Sequence, residues 1–129
     1  MAYTTIDDPS AFFQCKLYTG SDNGALTQVV TNDGNSDLQP DWIWIKRRNG
    51  SANHSITDTV RGLTIGLSTS TNAAEVDDDF GVTAVGSDGF SVRENTSAQG
   101  EINTGTLVAW QWKAGTSFTN DASSTGIGG

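Results

Sequence analysis

The stretch Pro40-Asp41-Trp42-Ile43-Trp44-Ile45-Lys46-Arg47-Arg48 decides the fold. Side chains alternate across a strand with period two, so Trp42 and Trp44 share one face while Ile43 and Ile45 share the other. Both faces are apolar, which predicts a central strand covered above and below. Leu107-Val108-Ala109-Trp110-Gln111-Trp112-Lys113 is its counterpart and again sets two tryptophans on one face. Trp42, Trp44, Trp110 and Trp112 are therefore expected in the structural core, because buried aromatics dominate core energetics and an indole N–H needs only one partner. The alternative is an exposed ligand platform.

The remaining composition fits that strand. The chain has 129 residues, enough for one domain with its own core. Apolar content is low at 35%, and 15 glycines with many Ser, Thr, Asn and Asp make up the difference. Thr and aromatics suit strands, and Gly, Asn and Asp supply turn geometry, so many short strands are favoured over helices. A net charge of −8 repels phosphate backbones and anionic lipid heads, so no nucleic-acid partner is expected. Lys46-Arg47-Arg48 is the one basic cluster and is expected to be a solvated strand end. Cys15 is the only cysteine, so neither an internal disulfide nor a cysteine-built metal site can form. Residues 1–5 lack the basic and apolar regions of a signal peptide, and no run approaches the roughly 20 apolar residues of a spanning helix. Folding in a cytosol without membrane insertion is the expectation.

Taken in order, Asp8-Pro9-Ser10 has a capping Asp followed by Pro and predicts one short N-terminal helical turn. Strands are predicted over 14–19, 26–31 and 40–48, then at 54–60 and 63–67 on either side of Arg61-Gly62. The segment 68–81 is too polar for core and is expected to be loop. Strands 82–85 and 90–93 flank Gly86-Ser87-Asp88-Gly89, whose Asp-Gly suits a tight hairpin. A closing strand spans 106–113. About eight short antiparallel strands with turns between them predict an all-β, two-sheet sandwich of jelly-roll type. The expected division is a lead-in at 1–13, the sandwich at 14–115 and a flexible Gly/Ser/Thr tail or linker at 116–129.

Catalytic chemistry is not evident. The single histidine, His54, has no HxxxH or HExxH spacing and cannot build a histidine zinc site. Glu75, Glu94 and Glu101 fall in loops, and the Glu-x-Asp-x-x-Glu strand of sandwich glucanases is absent. No enzyme activity, no catalytic residue and no cofactor are expected. Calcium is the weak exception. Asp33-Gly34-Asn35-Ser36-Asp37 imitates half of an EF-hand loop, but Leu38 replaces its glycine and Trp44 its bidentate glutamate. Asp77, Asp78 and Asp79 form a second oxygen-rich loop and are the weak metal candidates. Arg61, between two apolar strands, is expected to serve structure by capping carbonyls or pairing Asp58 or Asp41.

With these residues in hand the chain resembles a known family. Asp7-Asp8-Pro9-Ser10-Ala11-Phe12-Phe13, Lys16-Leu17-Tyr18-Thr19-Gly20, Asp41-Trp42-Ile43-Trp44-Ile45-Lys46, Asp58-Thr59-Val60-Arg61-Gly62, Ser87-Asp88-Gly89-Phe90 and Val108-Ala109-Trp110-Gln111-Trp112-Lys113-Ala114 are similar in order and spacing to the N-terminal unit of marine bacteriophage virion proteins, tail-fibre or structural, with a concanavalin A/laminin-G-like jelly roll. The resemblance implies a non-enzymatic virion component, a capsid decoration, fibre or tail-associated subunit assembled in the host bacterial cytoplasm. Its partners would be other virion proteins and further copies of itself, with host-surface glycan as a possible target. A lectin-like carbohydrate-binding module is the alternative. The resemblance carries over no residue-level ligand site.

Overall fold

The computed structural model describes residues 6–22, 26–77, 81–93 and 101–114. Its strands are β1 (Phe13–Thr19), β2 (Gln28–Thr31), β3 (Trp42–Arg47), β4 (Ser55–Asp58), β5 (Gly62–Ser68), β6 (Val76–Asp77), β7 (Gly81–Gly86), β8 (Gly89–Arg93) and β9 (Thr106–Trp112). They form a six-stranded sheet, β1-β9-β3-β4-β5-β6, and a three-stranded sheet, β2-β8-β7. Every pairing is antiparallel, and the two sheets pack into a β-sandwich. The predicted helical turn is a single 3-10 turn, Pro9–Ala11, with the Asp8 carboxylate accepting the Ser10 N–H.

The β3 and β9 segments lie side by side, with Trp42 opposite Trp112 and Trp44 opposite Trp110. The core lies on their other face. Ile43, Ile45, Leu107 and Ala109 meet Val30, Val82, Phe90 and Val92 of the smaller sheet, and Ile102 closes one side. Two further links fix the sandwich. The β7–β8 hairpin docks on the incoming chain, where the Gly89 N–H donates to the Leu38 carbonyl and the Asp88 carboxylate accepts from the Leu38 N–H. Gly89 has φ of +117°, and a Cβ there would strike the Val30 carbonyl, so this position requires glycine.

Two expectations are corrected. The first is cover on both faces of β3: the sandwich has two layers, so only the isoleucine face meets a second sheet. The second is the segment at 68–81, which contains β6. Its two residues pair with Ile65 and Gly66, and so short a strand has no alternation to reveal it.

Candidate functional site

The four tryptophans stand on the outer face of the six-stranded sheet and are absent from the core cluster. Their expected place in the structural core is therefore corrected: period-two alternation that buries Ile43 and Ile45 under the smaller sheet turns Trp42 and Trp44 away from it. Trp42, Trp44 and Trp110 are still partly buried, because they shield one another. Ring centroids lie 4.5 Å apart for Trp42 and Trp112, 5.1 Å for Trp44 and Trp110, and 6.3 Å for Trp42 and Trp44. Interplanar angles of 68°, 46° and 67° make this an interlocked herringbone, the arrangement that aromatic quadrupoles favour. His54 caps the cluster on one side, 6.1 Å from Trp44, and Phe13 extends it on the other, 4.8 Å from Trp112.

Exposure rises towards that second side. Trp112 is 37% exposed, Phe13 40% and Leu17 56%. The β1 strand is inverted relative to an ordinary sandwich strand: Gln14 points inward and is buried, while Phe13, Cys15 and Leu17 point outward and are exposed. Inward, the Gln14 amide donates to the Ser10 and Ser36 carbonyls and accepts the Gly34 N–H, and Lys16 pairs with Asp33 at 3.0 Å. The loop that imitates half of an EF-hand thus clamps the first strand. The sequence pattern predicts β1 as an ordinary strand; its apolar residues sit at odd positions like those of a core face, and only the polarity of Gln14 and Lys16 hints at the inversion.

The carboxylates serve as tethers. The Asp58 carboxylate accepts the backbone N–H groups of Val60 and Arg61, and its second oxygen lies 2.7 Å from Arg61 Nε. Burial alone would raise the Asp58 pKa, but the Arg61 N–H and guanidinium, with the Val60 N–H, outweigh it and hold the carboxyl below the usual range. Arg61 also reaches Glu75 at 3.4 Å. Of the two acids expected to pair it, Asp58 does so; Asp41 instead binds Thr59 and the Ala114 N–H. Arg61 is partly exposed on the β4–β5 turn and holds that turn, at whose tip Val60 is 92% exposed. At the opposite end, Lys46 donates to the Gly50 and Ala52 carbonyls, and Arg47 pairs with Glu101. Only Arg48 of the basic cluster is exposed.

Asp77 is exposed and accepts from the Thr64 hydroxyl, while Asp78, Asp79 and Glu94 lie outside the described residues, as does the tail at 116–129. Among the described residues no group of three or more His, Cys, Asp or Glu could hold a metal ion.

These observations define the class: a β-sandwich whose larger sheet carries an interlocked aromatic face that is most exposed at its β1 edge. The chain belongs to the family described as a domain of unknown function, DUF7483, which matches residues 8–126. No curated protein and no solved structure matches it.

Proposed function

We propose that this protein is a non-enzymatic structural subunit of a bacteriophage virion, located on the capsid, fibre or tail, and that it acts by docking the aromatic face of its larger sheet against neighbouring proteins. The observation that carries this reading is the outward herringbone of Trp42, Trp44, Trp110 and Trp112 running into exposed Phe13 and Leu17. An apolar surface that continues across neighbouring strands is characteristic of an interaction face. Tryptophan there supplies a large contact area with little conformational freedom to lose. The virion assignment is supported by the ordered motifs quoted above. Electron microscopy of particles made with and without the chain tests it. Density of β-sandwich size is expected on the complete particle only, and identical particles would overturn the proposal.

A second reading, glycan binding for host attachment, is favoured by the same outward placement of indoles, since sugars stack on exposed aromatic rings. The herringbone weighs against it over most of the face. Trp42 and Trp44 are only partly exposed and each has two tilted indole neighbours within 6.3 Å, which crowds the room a sugar would need to stack. Trp112 and Phe13 are the positions open enough to stack. A glycan array tests this directly. Binding abolished by Trp112→Ala supports it, and an empty array leaves protein docking as the use of the face.

A further inference from the structure

The β1 strand is an edge whose free side can be deduced. In an antiparallel ladder, opposed residues alternate between pairs that exchange hydrogen bonds and pairs that do not. Gly20 N–H donates to the Gly105 carbonyl at 2.8 Å, and Lys113 N–H to the Phe12 carbonyl at 2.9 Å, flanking the β1–β9 register. Even-numbered residues 14, 16 and 18 therefore bond to β9. The backbone groups of Phe13, Cys15, Leu17 and Thr19 face the open side, and the one partner seen there fits this parity: the Gln28 amide donates to the Thr19 carbonyl. Among the described residues, no hydrogen bond reaches the open-side backbone of Phe13, Cys15 or Leu17. The same three residues carry the exposed apolar side chains of the inverted strand. Edges of this kind recruit another strand unless charge, proline or a covering segment blocks them.

We infer that the occupant is a second copy of this chain, paired antiparallel through β1 about a two-fold axis at Cys15. Hydrogen-bonding parity requires odd residues to face odd residues, which leaves few registers. With Cys15 opposite itself, Phe13 faces Leu17 of the partner subunit, and Lys16 faces Gln14 of the partner subunit. A shift of two residues one way places Lys16 opposite its own copy, a like-charge contact that destabilises a sheet. The same shift the other way sets Leu17 opposite Ala11 of the partner subunit, where the chain is a 3-10 turn and offers no strand. Charge also permits self-pairing here. The chain carries −8 overall, yet β1 reads Phe-Gln-Cys-Lys-Leu-Tyr-Thr with no acid, and its one lysine is already paired with Asp33. Pairing continues the outer aromatic ladder from Trp112 through Phe13 to Leu17 of the partner subunit, covering the most open part of the face.

This inference rests on the assembly reading only in taking the outer face as one made to be covered. A chain that stays monomeric yet appears on particles keeps that reading and refutes this one; a dimer found on no particle does the reverse. The test is sedimentation of the full chain over a range of concentrations, with Cys15→Lys, Leu17→Lys and, as a control at a 70% exposed site on β2, Val29→Lys. A dimer is expected for the wild type and the control, with dissociation at least about tenfold easier for the two β1 variants, since Cys15→Lys sets like charges opposite each other and Leu17→Lys presses a charge against Phe13 of the partner subunit. Circular dichroism and thermal melts of each variant establish that the fold is retained. In the dimer, a short bis-maleimide should join two chains through Cys15, because directly opposed Cα atoms of a hydrogen-bonded pair lie about 5.5 Å apart. A single-chain mass at every concentration would overturn the inference, as would a dimer unaffected by both β1 variants or one that Cys15 cannot cross-link.

Discussion

The two faces of β3 use the same strand in opposite ways. Ile43 and Ile45 are sealed beneath the smaller sheet, in contact with residues brought from distant parts of the chain. Trp42 and Trp44, one residue along in each case, have no second layer and shield each other with the rings of β9. Both faces are apolar, but one is closed by a second sheet while the other is shielded only by its own rings. Hydrophobicity of a strand face therefore does not by itself say what lies against it.

The comparison breaks most clearly in the core. Phe90 is fully buried between the sheets and meets Tyr18 edge-on at 5.9 Å. Phe90→Ala removes that ring from a site with no route to solvent, and a loss of about 3–5 kcal/mol in chemical denaturation is expected. Trp44→Ala should destabilise less, by about 2 kcal/mol, because its ring is partly exposed and the loss is shared between lost burial and lost ring contacts. Equal losses for the two variants would mean that the outer cluster is a second core.

Much of this was legible in the sequence, for definite reasons. Alternation and turn residues locate eight of the nine strands among the described residues, because each runs four to seven residues between turn signals. The Asp8-Pro9 cap predicted the turn, and Asp58 emerged as a partner of Arg61 from proximity alone. The hairpin was found, although its positive φ falls on Gly89 and not on Asp88, which sequence chemistry does not separate. The side of the sheet was not legible. Trp-Ile-Trp-Ile is equally apolar in both phases, so period two separates the faces without saying which one meets the smaller sheet. The inverted β1 was hidden for a related reason: its inward Gln14 is satisfied by a loop 20 to 22 residues later, through Gly34 and Ser36.

The tethers that hold the rim of the outer face sharpen the comparison further. Asp58→Ala removes two backbone acceptor contacts and the ion pair with Arg61, so the β4–β5 turn should loosen at a cost of about 1–2 kcal/mol. The loss should be confined to that end, and hydrogen exchange should quicken around Thr59 and Val60 while Ile43 and Ile45 stay protected. Exchange quickened equally in Ile43 would mean that the turn and the core unfold as one unit.

The smallest expected effect depends on pH. Asp8 accepts the Ser10 hydroxyl at 2.6 Å, the Ser36 hydroxyl at 2.7 Å and the Ser10 N–H at 2.9 Å, tying the N-terminal turn to the loop that clamps β1. Those bonds hold its carboxyl below the ordinary 3.8, with the Ser10 hydroxyl contributing most. A carboxyl whose pKa is lower folded than unfolded stabilises the fold above its unfolded value and loses that contribution as pH falls through the folded one. The contribution is therefore complete at neutral pH and declines below about pH 3.8. Asp8→Asn keeps the shape and removes the charge, so its thermal midpoint should lie slightly below wild type at neutral pH. The two midpoints should converge on acidification, as the wild-type carboxyl takes up its proton. Parallel curves across the acid range would mean that Asp8 holds the turn by shape alone.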